Sequence, residues 1–64
     1  MAIDILLPIA LDAVVKAEAH GGTGNEKFNY ALEYMQKEVP DAAIGKVKSA
    51  IQDAWLIKEA EGWK

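Results

Sequence analysis

The chain contains no cysteine and no arginine, and it has one histidine and one serine among its 64 residues. Without cysteine there is no disulfide framework and no thiolate metal site, and a single histidine excludes the paired-histidine zinc motifs. Packing must therefore hold the fold together. The ten carboxylates outnumber the seven lysines, which gives a formal net charge of −3. Because binding to a phosphate backbone needs a basic surface, we expect no nucleic-acid partner.

Long hydrophobic runs are also lacking. The most apolar stretch, residues 3–15, is interrupted by Asp4, Pro8 and Asp12, whereas a transmembrane helix needs about 20 apolar residues. It also lacks the basic flank of a signal peptide. With no linker or low-complexity tract, residues 1–64 are predicted to form a single helical domain without a membrane span. A core of this size contributes only roughly 3–5 kcal/mol of net stability, which favours oligomerisation.

Apolar residues recur at three- and four-residue spacing in three segments, which indicates helices. The predicted fold is all-α, a small three-helix array with helices over about residues 6–20, 24–38 and 41–61. Pro8 suits the first turn of the first helix, and Pro40 ends the second, so that Pro40 or Asp41 opens the third. Gly45 indicates a frayed first turn or a close helix contact, of which we favour fraying. The predicted core side of the second helix comprises Phe28, Ala31, Leu32, Met35 and Val39. In the third helix, the residues that repeat at helical spacing are Ile44, Val47, Ile51, Ala54, Trp55 and Lys58.

The chain has more apolar residues than three helices of this size need, since 52% of its residues are hydrophobic. If each helix covers one apolar stripe, the surplus must meet another surface. The predicted interface, for self-association or for a partner, comprises Leu7, Leu11, Val15, Trp55 and Trp63. In the alternative, long lysine and glutamate stems cover the extra surface and the domain is a monomer. We favour the homo-oligomer, because so short a chain gains much from association.

Three glycines fall within four positions between the first two predicted helices. They suggest a phosphate-binding loop, but counted from Gly21, Glu26 stands where the Walker motif needs its second glycine, and no strand precedes the loop. A helix-turn-helix joint explains the same residues. Gly21 and Gly22 supply a left-handed cap for the first helix, and Thr23 with Glu26 forms a capping box for the second.

Residues that carry catalysis or bind metal are not apparent. His20 has no nucleophile or orienting group near it in the sequence, and Ser49 falls in a helix between lysines. The acidic residues Asp53, Glu59 and Glu61 lack the spacing of an EF-hand loop and are typical of a solvated face. We therefore predict no catalytic, cofactor-binding or metal-ligating residue, and we expect that the chain is not an enzyme.

Four segments together resemble a known family. They are residues 14–18 (Val-Val-Lys-Ala-Glu), residues 24–27 (Gly-Asn-Glu-Lys) after the glycine joint, residues 30–35 (Tyr-Ala-Leu-Glu-Tyr-Met), and residues 44–55 with Ile-Gln-Asp-Ala near their end. The pattern is similar to the soluble carboxy-terminal domain of LLH-type bacteriophage holins. That domain has an Ala-Val-x-Ala-Ala-Glu helix, a Gly-x-Gly-Glu-x-Lys joint, a helix with Tyr-Ala-Leu, and a closing helix. The similarity covers roughly residues 14–56.

The resemblance implies a phage or prophage protein that associates through helices and is linked to host-cell lysis. It implies a location in the bacterial cytoplasm, and at the membrane in a longer form. Such holins carry a transmembrane helix and an amphipathic helix before this domain, so the chain is expected to be an excised domain or a small phage protein with another role. The alternative function is a phage-encoded protein that binds and inhibits or regulates a host protein. A small enzyme, the third class, would need a pocket with convergent titratable groups.

Overall fold

The computed structural model describes residues 5–63 and contains three helices in that part of the chain. They are α1 (Leu6–His20), α2 (Gly24–Glu38) and α3 (Ile44–Glu61). The predicted all-α three-helix fold is confirmed, and the limits of α1 and α2 agree with those predicted. Residues 1–4 and 64 of the predicted domain lie outside the described residues.

The middle of the fold is occupied by α1. This helix contacts both α2 and α3 extensively, whereas α2 and α3 contact each other much less. Its wide apolar circumference therefore serves two neighbours within the same chain. Leu7 and Leu11, which we predicted for an interface because of that surplus, are half-buried and pack against the core. Val15, the third of them, remains 43% exposed.

Alanine dominates the centre of the molecule. Of the ten buried hydrophobic residues among residues 5–63, six are alanine. Such small side chains allow helix axes to approach toward the lower end of the usual range of about 8–10 Å. The largest fully buried side chains are Met35, Ile51, Val14 and Val47. The bulkier aromatic residues and most of the leucines lie half-buried at the edge of this core.

The connection between α2 and α3 differs from the prediction, because α3 begins at Ile44 and not near residue 41. The Ala42 N–H donates to the Val39 carbonyl at 3.0 Å, which closes a turn around Pro40 and Asp41. Proline favours the second position of such a turn, so these residues are used in the connection and the helix follows later. Ile44 is consequently at the helix start and 46% exposed, so this first member of the predicted α3 stripe lies outside the core.

Gly45 falls in the first turn of α3, and no atom lies within 4 Å of the position that a Cβ would take there. The close helix contact considered for this glycine is therefore not present. Pro8 falls in the first turn of α1, as its missing N–H predicts.

The joint between α1 and α2 is built as the capping pattern predicts. The Glu26 N–H donates to Thr23 Oγ1 at 3.2 Å, and the Thr23 N–H donates to Glu26 Oε1 at 3.3 Å. Both amides are thereby satisfied at the start of α2. At the end of α1, the Gly21 N–H donates to the Ala17 carbonyl at 3.1 Å.

Both glycines of the joint have positive φ angles, 84° at Gly21 and 103° at Gly22. The ψ of Gly21 is −172°, so it lies in an extended, glycine-specific region and not in the predicted left-handed helical region. A Cβ on Gly22 would lie 3.2 Å from the Cβ of Glu26. The capping glutamate therefore packs directly against the space that this glycine leaves.

Gly22→Ala is expected to destabilise the protein by about 1–2 kcal/mol, because alanine resists the positive φ and its Cβ crowds Glu26. Gly24→Ala is the matched control, since Gly24 lies in helix α2 with no atom within 4 Å of a Cβ position. It should be neutral or stabilising by roughly 0.5 kcal/mol. Urea unfolding followed by circular dichroism measures both. Equal effects of the two substitutions would contradict this account of the joint.

Candidate functional site

An open apolar groove of about 480 Å³ lies between the start of α2 and the second half of α3. It exists because these two helices contact each other little while both pack on α1. Its apolar wall is formed by Phe28, Ile51, Trp55 and Leu56, and its polar boundary by Gly24, Gln52 and Glu59. A concave, mostly apolar surface with a polar boundary is typical of a site that receives a side chain or a helix from a partner.

Leu56 is the most exposed large hydrophobic residue among residues 5–63, at 67%. It is not among the residues predicted for the interface. The signal that identifies it is the run of three apolar residues from Trp55 to Ile57. Three consecutive side chains spread over most of a helix circumference, so they cannot all face one core. Only the tertiary arrangement decides which of the three is left outside.

Trp55 and Trp63, both predicted for an interface, contact each other within the chain. Their rings meet edge to face with centroids 5.8 Å apart. The end of α3 brings them together: Gly62 adopts the left-handed conformation, its N–H donates to the Glu59 carbonyl at 3.1 Å, and the Trp63 N–H donates to the Lys58 carbonyl at 2.8 Å. This paired hydrogen bonding is a Schellman motif, and it turns Trp63 back over the helix.

The contact between Trp55 and Trp63 requires an unusual backbone conformation at Trp63 and supports one wall of the groove. Trp63 has a φ of 60°, which a bulky residue adopts rarely. The contact with Trp55 and the core offsets this strain. Because Trp63 packs on Trp55, it supports one wall of the groove from within the same chain. The five predicted interface residues therefore lie in three different environments. Val15 is exposed on α1, Leu7 and Leu11 pack against the core, and the two tryptophans form the groove wall and its support.

A second, smaller opening of about 380 Å³ lies at the other end of α2. Ile5, Leu6, Val39 and Pro40 line it together with the acidic residues Glu38 and Asp41. Ile5 is 65% exposed there. Ile5 is the first residue that the structure describes, so the groove between α2 and α3, whose lining lies well within the described residues, is the better defined surface.

A cluster of polar side chains links α1 to α2. The Tyr34 hydroxyl donates to Asp12 Oδ2 at 2.6 Å, and Lys16 Nζ lies 3.4 Å from the same carboxylate oxygen. The hydrogen bond from Tyr34 lowers the pKa of Asp12 and raises the pKa of Tyr34. Hydrogen bonds with Tyr34 and Asp12 raise the pKa of Lys16. The carboxylate, the hydroxyl and the ammonium group of this cluster contact one another across α1 and α2, so the cluster links the two helices.

Tyr34→Phe is expected to lower the unfolding temperature at neutral pH and to raise the pKa of Asp12 toward its ordinary value of 3.8. Because the folded pKa of Asp12 lies below the unfolded one, the cluster stabilises the fold above the unfolded pKa, and this contribution disappears as the pH falls through the folded pKa. The difference between variant and wild type should therefore shrink in acid.

Thermal unfolding against pH, together with NMR titration of the Asp12 carboxyl group, measures both effects. Tyr30→Phe is the control, since Tyr30 packs against His20 with ring centroids 4.7 Å apart and does not contact Asp12. An Asp12 pKa unchanged by Tyr34→Phe would contradict the role assigned to this hydrogen bond.

The remaining polar groups lie on the surface. His20 is exposed in the last turn of α1, and Lys27 Nζ pairs with Glu18 Oε1 at 3.0 Å across α1 and α2. Within residues 5–63, no group of three or more histidine, aspartate or glutamate side chains is arranged to hold a metal ion. In the same part of the chain, no helix has both the length and the apolar character that crossing a bilayer requires.

No protein-family model, curated protein or solved structure matches this chain. The resemblance of residues 14–56 to LLH-type holins therefore stays a prediction.

Proposed function

We propose that this chain is a non-enzymatic helical interaction domain that associates with itself, and that it serves a phage or prophage protein linked to host-cell lysis. The observation that carries the association is the groove between α2 and α3, with Leu56 exposed at its edge. Burying a leucine side chain contributes about 1.5–3 kcal/mol relative to leaving it in water. A domain of this size has little stability in reserve, so such a contribution favours association.

The wall of the groove is already ordered within a single copy of the chain. Trp55 is held by its edge-to-face contact with Trp63, and Ile51 at the base of the groove is fully buried in the core. A wall that is already ordered loses little conformational entropy when it binds, which raises the affinity for a given contact area. The groove therefore supports a binding role for the domain more directly than any polar cluster of the molecule does.

The lysis role rests on the resemblance of residues 14–56 to the soluble domain of LLH-type holins. In that role the domain lies in the bacterial cytoplasm and follows a membrane anchor in the full-length protein. The proposal predicts that the parent gene encodes an apolar span of about 20 residues upstream of this domain. A gene that starts at Met1 outside any phage region would remove the lysis role and leave the association to be tested separately.

Light scattering across a concentration series tests the association. The wild type is expected to exceed the monomer mass of 7.0 kDa at high micromolar concentration. Leu56→Glu should return the mass to that of the monomer, because a carboxylate would enter the apolar groove. Val15→Glu is the matched control: it places the same charge on an exposed apolar residue of α1 and should keep the wild-type mass.

The substitution must be chosen at Leu56 and not at the predicted interface residue Leu11. Leu11 packs against the core, so Leu11→Glu is expected to destabilise the fold and would not report on association alone. Circular dichroism is used to check that Leu56→Glu and Val15→Glu keep their helices. A folded wild type that stays at 7.0 kDa throughout would refute self-association, and the groove would then serve a different protein, as in the host-regulator alternative.

A further inference from the structure

We infer that a second copy of this chain occupies the groove, with the two α3 helices packed antiparallel and Leu56 of each copy inserted into the groove of the other. This inference rests on the proposed self-association and specifies its geometry. Leu56 is both the exposed apolar residue and a part of the groove wall. The same surface can therefore supply both the inserted leucine side chain and the groove that receives it, as a two-fold symmetric interface requires.

The outer face of α3 carries an ordered stripe of side chains. Lys48, Gln52, Leu56 and Glu59 follow one another at intervals of four, four and three residues, which places them on one side of the helix. The last three line the groove, and Lys48 lies one turn before them. The stripe thus has a cation at its start, an exposed leucine within it and a carboxylate at its end.

The two charges of this stripe lack partners within the described residues. Lys48 and Glu59 are both exposed, and neither belongs to an ion pair formed among residues 5–63. They stand on the same helix at a separation of roughly 16 Å, given a rise of about 1.5 Å per residue, so they cannot pair with each other in one copy. A second copy can supply the partner for each.

Charge decides the direction of packing. A parallel pair of α3 helices would set lysine against lysine and glutamate against glutamate, whereas an antiparallel pair sets Lys48 of each copy against the partner's Glu59. Like charges placed opposite each other disfavour the wrong arrangement, and opposite charges fix the register of the right one. An unrelated helix would need the same two charges at the same spacing, which the second copy has by identity.

The register that pairs these charges also places the apolar residues correctly. With Lys48 opposite the partner's Glu59, Leu56 stands level with the partner's Ile51, the buried base of the groove, and therefore between Phe28 and Trp55 of the groove wall. Gln52 then stands opposite the partner's Trp55. The charge pairs flank an apolar centre at both ends, which is the usual arrangement of a small interface.

Charge reversal in two separate variants tests this geometry. Lys48→Glu puts two carboxylates opposite each other at both ends of the dimer, and Glu59→Lys puts two lysines there. Each variant alone should dimerise about tenfold more weakly than the wild type at low ionic strength. An equimolar mixture should recover the wild-type mass. In the heterodimer, the carboxylate introduced by Lys48→Glu in one copy faces the ammonium group introduced by Glu59→Lys in the other, and the second charge pair is the native one.

The controls are Lys37→Glu and Glu33→Lys, which make the same charge changes at exposed positions of α2. Alone and mixed, they should behave like the wild type. Circular dichroism is used to check that all variants are folded, and light scattering measures their mass. If the wild type dimerises but the mixture of Lys48→Glu and Glu59→Lys associates as weakly as either variant alone, this geometry is overturned and the proposed self-association is not. A monomeric wild type overturns both this inference and the proposed self-association.

Discussion

The packing of α1 against two helices at once, through alanine, is the interaction on which the rest of the structure depends. Ala10, Ala13 and Ala17 are fully buried along α1, and they let α2 and α3 approach it closely. A bulkier residue at any of these positions would push a neighbouring helix outward, because an interior at this density has no room for added methylene groups. In a domain with so small a core, such a displacement would remove much of the net stability.

This central packing also explains why the molecule has an open groove. Both α2 and α3 pack their buried faces against α1, so they contact each other only a little. The larger side chains then fall at the edge of the core, where Phe28 and Trp55 are half-buried. The groove is thus a consequence of how three helices share one central partner, and Leu56 is the residue that this arrangement leaves outside.

Local interactions at the helix ends stabilise the frame around this core. The capping box of Thr23 and Glu26 satisfies two amides at the start of α2, and the Schellman motif at Gly62 satisfies two carbonyls at the end of α3. The second motif also places Trp63 against Trp55. A helix end that closes correctly therefore shapes the wall of the candidate binding site, which connects local backbone geometry to the proposed function.

The sequence by itself determined the three helices, the joint and the end of α2 before Pro40, because helix spacing, capping boxes and the restriction that proline imposes depend on residues within a few positions of one another. It also indicated surplus apolar surface, but it assigned that surplus to Leu7, Leu11, Val15, Trp55 and Trp63 and not to Leu56. Only the tertiary structure decided that α1 is the central helix, which buries those leucines in part and leaves Leu56 exposed. The physical reason is that side-chain burial depends on which helices become neighbours, and the apolar period of one helix does not contain this information.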